Sequence, residues 1–382
     1  MIRKVLLILM FVIISLSPNI YGEDSMQPLY NFNTALMPKL EPAIYSTKKV
    51  LIEGIFDFPA DNAIATNREP GSNAVTLITF DEKKLKVKYK TIAKNFKSYV
   101  WGGEEIHLPI FSENYIGYTQ SRGFTLLNLK TKKCIIGGIA DMDYGVPYVG
   151  VINPEKNIFL FGAIGGKSNV DFLSIMEYGN GSSHILRQKK ISKGTWPVGN
   201  TQDVIFTANK NNIKAMDINF NEIDHPFARK FEEEKEMLEE MGELKIHPDL
   251  PFAVFNANSI GKMWVISWRD EDKPVIQKIS DQYSARFKFS YDGKWLEFDD
   301  NHNYFIMPVD PELPHFLGKP ILLGAFPDWP RGGRGRRAMT RNPSGFVIPV
   351  HERDEKHKKI GFLRKWVFSE AEKLIEKQKG YR

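Results

Sequence analysis

The chain has 382 residues, 42% hydrophobic and 26% charged, with 52 Lys+Arg against 46 Asp+Glu. This composition excludes a disordered or collagen-like chain, and the length allows two or three domains or one large all-β domain. A formal net charge of +6 dispersed along the chain is too weak for a nucleic-acid surface, so no nucleic-acid partner is expected.

Arg3 and Lys4 precede the apolar run "VLLILMFVIISL" (5–16), which Pro18 and Asn19 break before "IYG" (20–22) and Glu23. A basic start, a short apolar stretch and a small residue at the break make residues 1–22 a secretory signal peptide. A spanning helix needs about 20 apolar residues, so an uncleaved N-terminal membrane anchor is the alternative. The expected location is periplasmic or secreted, with no membrane span after cleavage. Cys134 is the only cysteine. That rules out an intramolecular disulfide, a cysteine-built zinc site and a haem attachment motif. It also fits a bacterial periplasm better than a disulfide-rich extracellular space.

Strand-like runs then recur. They start at Ala63, Tyr115, Ile158, Val204, Phe252, Trp295 and Phe346, at intervals of 43 to 52 residues. Turn chemistry precedes them, as in "INPEKN" (152–157), "IHPDLP" (246–251), "FSYDGK" (289–294) and "RNPSG" (341–345). Each start is followed by a second run, at 75–80, 124–129, 171–178, 213–218, 263–268, 304–309 and 360–368. Seven units of about 47 residues predict an all-β, seven-bladed β-propeller of four-stranded blades over residues 23–368, with six or eight blades as alternatives. One blade cannot hide both of its faces, whereas blades packed radially can. "PLYNFNTALM" (28–37) is expected to supply the strand that closes the ring.

The stretch "FSYDGKWLEF" (289–298) resembles the Ser-Pro-Asp-Gly-Lys segment of WD40-like repeats in TolB-type periplasmic propellers, with Tyr291 where Pro is usual. "INPEKNIFLF" and "IHPDLPFAVF" keep the Pro and an acidic residue, and "RNPSGFVIPV" keeps Pro and Gly. The resemblance implies a fold, and families with this fold perform unrelated tasks.

Two segments interrupt the repeat. "DHPFARKFEEEKEMLEEMG" (224–242) predicts an inserted helix, with Asp224 as cap, Pro226 in the first turn and Gly242 as stop. "PDWPRGGRGRRAMTR" (327–341) carries Arg331, Arg334, Arg336, Arg337 and Arg341 with no acid among them. Guanidinium forks match carboxylate and phosphate oxygens, and Trp329 beside them offers a stacking face. These six residues are the candidate ligand-binding set. The tail 369–382 spaces Ser369 and Glu372 as a capping box and predicts a short, exposed helix.

No serine-hydrolase elbow, H-E-x-x-H or phosphate-binding P-loop motif occurs. The His residues are scattered, and the oxygen-rich Asp299, Asp300, Asn301 and Asn303 read as turn formers. No cofactor and no metal site is expected, and catalytic residues are unknown. The leading reading is a monomeric, non-catalytic binding or scaffold propeller whose rim loops recognise a protein or an anionic envelope component. The alternative is a lyase or hydrolase with acids and His from several blades meeting in the central funnel.

Overall fold

The computed structural model describes residues 27–379 except 33–37, 48–51, 57–62, 94–109, 139–147, 164–170, 235–240, 326–339, 354–358 and short stretches of one to four residues elsewhere. The expected signal peptide therefore lies outside the described residues.

Strand β1 is Ala43–Ser46, and β2 to β5 are Ile52–Phe56, Ala63–Glu69, Ser72–Asp81 and Lys86–Ala93. Strands β6 to β9 are Ile110–Ser112, Tyr115–Gln120, Gly123–Asn128 and Cys134–Gly138. Strands β10 to β13 are Tyr148–Asn153, Ile158–Ala163, Asp171–Gly179 and Ser182–Ile191. Strands β14 to β17 are Trp196–Asn200, Val204–Ala208, Ile213–Asp217 and Glu222–Ile223. Strands β18 to β21 are Met241–Ile246, Phe252–Ala257, Lys262–Ser267 and Val275–Tyr283. Strands β22 to β25 are Arg286–Phe289, Trp295–Asp299, Asn303–Pro308 and Ile321–Ala325. Finally, β26 to β28 are Thr340–Asn342, Gly345–Arg353 and Lys359–Val367.

Five blades are separate four-stranded antiparallel sheets in chain order. The other strands form one sheet of eight, β2-β3-β4-β5-β1-β28-β27-β26. Within it, β2–β5 make the first blade and β26–β28 with β1 make the seventh, joined by a single parallel pairing of Ser46 with Lys86. The first strands of successive blades adjoin from β6 through β10, β14 and β18 to β22, and β2 lies against β26 and β27. The described strands thus form seven blades around one axis, first strands innermost. The seven predicted starts fall on, or one residue inside, the second strand of each blade, and the seven second runs fall on the third strands.

Side-chain period explains why the ring holds. Alternate residues of a strand point to opposite faces. Phe252 and Val254 of β19 pack with Leu296, Phe298 and Phe305 of the sixth blade. Ala253 and Phe255, which alternate with them in sequence, pack with Phe206 and Ala215 of the fourth. Strands buried on both faces therefore read as continuous apolar runs. Every residue of β23, Trp295 to Asp299, is buried.

The closing strand differs from the expectation. It is β1, whose residues Ala43 to Ser46 pair antiparallel with Lys365 to Phe362 of β28, not 28–37. The described part of 28–37 crosses the outer edges of earlier blades. Leu29 and Tyr30 N–H donate to the Lys278 and Ile279 carbonyls at 3.0 and 2.9 Å. Phe32 inserts between the fifth and sixth blades, with ring centroids 4.8 Å from Phe298 and 5.5 Å from Phe305. Phe32 fits that cleft, while Tyr45 fills the one between the seventh blade and the first.

A shared device starts the second strand. At the end of the first strand, a side chain accepts a backbone N–H from the turn. Asn153 Oδ1 accepts from Lys156 at 3.0 Å, and Thr201 Oγ1 from Val204 at 3.1 Å. His247 Nδ1 accepts from Leu250 at 2.9 Å, and Ser290 Oγ from Trp295 at 3.0 Å. Such local acceptance makes these residues turn formers. In the last turn Gly293 adopts φ +68, which a glycine accommodates without penalty.

The inserted helix α1 is Pro226–Glu233, shorter than the predicted 224–242. Met241 and Gly242 belong instead to β18. His225 rather than Asp224 is the cap, its Nδ1 accepting from Phe227 N–H at 3.2 Å, while Asp224 pairs with Arg229 at 3.0 Å. Phe227 and Phe231 are fully buried against the fourth and fifth blades. Burial first, then the Arg229 charge, pushes the His225 imidazole down from 6.5 to about 4. The unfolded chain therefore binds the extra proton between those values, and stability falls as pH drops through that window. Discounted for solvent screening at this partly buried site, the expected loss from about pH 7 to about pH 4 is roughly 1–2 kcal/mol. Urea denaturation at the two pH values checks it. His225→Asn keeps a capping acceptor and should lose correspondingly less.

The C-terminal helix α2 is Phe368–Lys379, so Ser369 lies inside it and does not cap it. Phe368 stacks on Trp295 at 6.0 Å and meets the edge of Phe346 at 4.8 Å, anchoring the helix over the sixth and seventh blades.

Candidate functional site

Strand alternation divides the loops between two faces. The turns joining first to second and third to fourth strands emerge on one face, here termed the lower. The turns joining second to third strands, and the connections from one blade to the next, emerge on the upper. The segment between β25 and β26 is a blade-to-blade connection, so both its ends lie on the upper face. Arg331, Arg334, Arg336, Arg337 and Trp329 fall outside the described residues. Arg341 lies in β26, the innermost strand of the seventh blade, paired with Phe346. The loop after Asp299 also opens upward. Asp300 commits both carboxylate oxygens to its own turn, accepting from His302 and Asn303 N–H at 2.8 and 2.6 Å and from the Asn303 amide at 3.3 Å.

The inner strands of the fourth to sixth blades carry polar groups that answer one another. Asn200 Nδ2 donates to Val151 O on the third blade and to Thr201 O, both at 2.8 Å. Lys245 Nζ lies 2.9 Å from Glu243, each partly exposed. Lys288 Nζ lies 3.3 Å from the buried Glu297 carboxylate, its partner across β22 and β23. Asn200 and Lys288 brace neighbouring strands along the inner wall, while Lys245 and Glu243 pair within β18.

The histidines are dispersed. His225 caps α1. His247 is buried in the fifth blade's lower turn, where its Nε2 lies 2.8 Å from Gly293 O of the sixth blade. With Nδ1 accepting two N–H groups, Nε2 carries the proton and donates, tying the two turns together. Burial outweighs that hydrogen bond and holds the His247 pKa below the usual range. Burial and the Arg269 charge also lower His315, on a lower-face loop. Among the described residues, no group of three or more His, Cys, Asp or Glu is placed to hold a metal ion. Nor is any described helix long and apolar enough to cross a membrane.

No family model matches the chain, and no curated protein matches its sequence. Solved structures do match its fold. Oligogalacturonate lyase in complex with manganese is 10% identical over 87% of this chain and 99% of that one, with a TM-score of 0.50. The Cps50 (Swd1) β-propeller domain of Myceliophteria thermophila is 10% identical over 84% and 98%, with a TM-score of 0.45. A putative TolB from Agrobacterium tumefaciens is 13% identical over 77% and 98%, with a TM-score of 0.40. The chain is a β-propeller, as its successive four-stranded sheets show. The neighbours include an enzyme and proteins not named as enzymes, and at these identities the likeness concerns fold alone.

Proposed function

We propose that this chain is an exported, non-catalytic binding propeller that grips an anionic partner with the arginine-rich connection between β25 and β26. The observation that supports the reading is that two described strands bound that connection. It leaves β25, whose Ile321 and Leu323 are fully buried, and enters β26 at the inner rim, so rigid strands hold both ends. Arginine offers planar forks for carboxylate or phosphate oxygens, and loops presented by a rigid scaffold are the usual carriers of binding. The signal-like N-terminus supports export.

The test compares wild type with a variant carrying Arg334→Glu, Arg336→Glu and Arg337→Glu in capture from cell-envelope extracts, followed by affinity measurement. Each charge-assisted bond contributes about 1.5–3 kcal/mol, so the variant should bind its partner at least about a hundredfold more weakly. Its thermal midpoint should be nearly unchanged, because surface-loop substitutions cost about 0.5 kcal/mol or less. Identical partners at equal affinity would remove the loop from the account.

A further inference from the structure

The turn between β4 and β5 holds a leucine where stability alone would not keep one. Leu85 is 48% exposed and adopts φ +46. A left-handed conformation costs a leucine about 1–2 kcal/mol, which Gly or Asn would largely avoid. The tip is fastened rather than loose. Leu85 O accepts from Ser46 N–H at 3.2 Å, and Lys84 N–H donates to the Asp81 carbonyl and carboxylate, each at 3.2 Å. A strained, exposed, rigidly held apolar side chain directs attention to function.

Its surroundings are basic. Lys83 and Lys84 share the tip, and Lys86, Lys88 and Lys90 alternate along one side of β5, all exposed. Val87 and Tyr89 point the other way, into the cluster around Tyr45. Nearby acids are already engaged: Glu82 takes the buried Lys365 ammonium at 2.7 Å and the Tyr45 hydroxyl, and Asp81 lies 3.9 Å from Lys88. Ile44 on the adjoining β1 is 52% exposed.

We propose that this lower-face hairpin docks on an anionic lipid bilayer, Leu85 entering the interface while the lysines meet the headgroups. The composition argues for a lipid surface. All five cations are lysines, flexible point charges that suit a diffuse layer of headgroups. The cations of the segment between β25 and β26, by contrast, are all arginines, whose planar forks match oxygen pairs. An exposed apolar residue flanked by lysines on a turn also follows the logic of peripheral membrane contact. Membrane and partner would then engage opposite faces, though this inference stands without the arginine loop.

The experiment uses the chain lacking residues 1–22, whose apolar run would itself enter vesicles; every described strand lies beyond them. Co-sedimentation should occur with phosphatidylcholine vesicles containing phosphatidylglycerol, not with phosphatidylcholine alone, and should fall as salt rises. Leu85→Asn suits the left-handed backbone, so it should preserve or raise the thermal midpoint while weakening vesicle binding about tenfold. Lys83→Gln and Lys84→Gln should each weaken it about fivefold. Absence of binding to anionic vesicles, or binding unchanged in these variants, overturns the proposal. So does equally tight binding of soluble polyglutamate that is indifferent to Leu85→Asn, which would assign the lysines to an acidic polymer.

Discussion

Tyr45→Ala should lower the unfolding free energy by about 3–5 kcal/mol, the range for deleting a large buried ring. Tyr45 is fully buried in the strand that completes the seventh blade. Its ring meets the edge of Phe80 of the first blade at 5.0 Å, and among the described residues Ile78, Val347 and Leu363 share the buried part of that cluster. Its hydroxyl donates to Glu82, which also accepts from Lys365 at 2.7 Å, and the Lys365 ammonium lies 4.7 Å over Phe80. Alanine would leave a cavity at the ring's closure and take one support from a buried ammonium. Thermal or urea denaturation measures the loss, and limited proteolysis should show earlier cleavage. Tyr45→Phe keeps the ring and should cost only about 0.5–1.5 kcal/mol. If the two variants lose the same amount, packing at the closure is not what Tyr45 supplies.

The same clasp predicts behaviour at both ends of the pH scale. Burial pushes the Tyr45 phenol far above the ordinary tyrosine range, and the Glu82 hydrogen bond and charge push it further. Its raised pKa contributes stability that is present below the unfolded value and lost as pH rises beyond about 10. Burial pulls the Glu82 carboxyl up, but the Lys365 and Tyr45 hydrogen bonds outweigh it and hold the group below its usual value. That contribution is present above the ordinary carboxylate pKa and lost as pH falls below it.

Gly345→Ala should destabilise the chain by about 3 kcal/mol or more, the upper range for overpacking. A Cβ at Gly345 would sit 1.8 Å from the Trp366 carbonyl oxygen, 2.9 Å from its carbon and 3.3 Å from Val367 Cα. All three are backbone atoms of β28, so no side chain can swing aside. Strands β27 and β28 would have to part where Gly345 faces Val367 and Phe346 faces Trp366. Gly199→Ala is the comparison. There the Cβ meets the Ile246 side chain, 2.6 Å from its Cδ1 and 3.3 Å from its Cβ, and a rotamer change can relieve much of the contact. The expected cost is about 1 kcal/mol. Equal losses in denaturation would show that backbone crowding is not what reserves position 345 for glycine.

The repeat could be read before any coordinates because its signals are local. The Asn153, Thr201, His247 and Ser290 turns each form within a few residues. The strands after them are apolar throughout because neighbouring blades cover both faces. Side-chain period and turn chemistry therefore sufficed for the expectation of seven blades and for the second and third strands of each. The helix was legible in place but not in length: His225, not Asp224, caps it, and β18 begins at Met241. The candidate arginine loop was visible as composition, but only strand order assigns its ends to the upper face. Leu85 carries no signal in the sequence, because a leucine beside lysines looks ordinary until its backbone angle is known.

What the amino-acid order determined by itself was a repeated β unit, seven times over, with an arginine-rich interruption. Tertiary structure alone decided how the ring closes. The four residues of β1 carry too short a pattern to announce their partner, and that partner lies some 320 residues away along the chain. Tyr45 closes the ring because its volume and hydroxyl fit between Phe80, Glu82 and Leu363, a complementarity that exists only once the last blade has come round to the first.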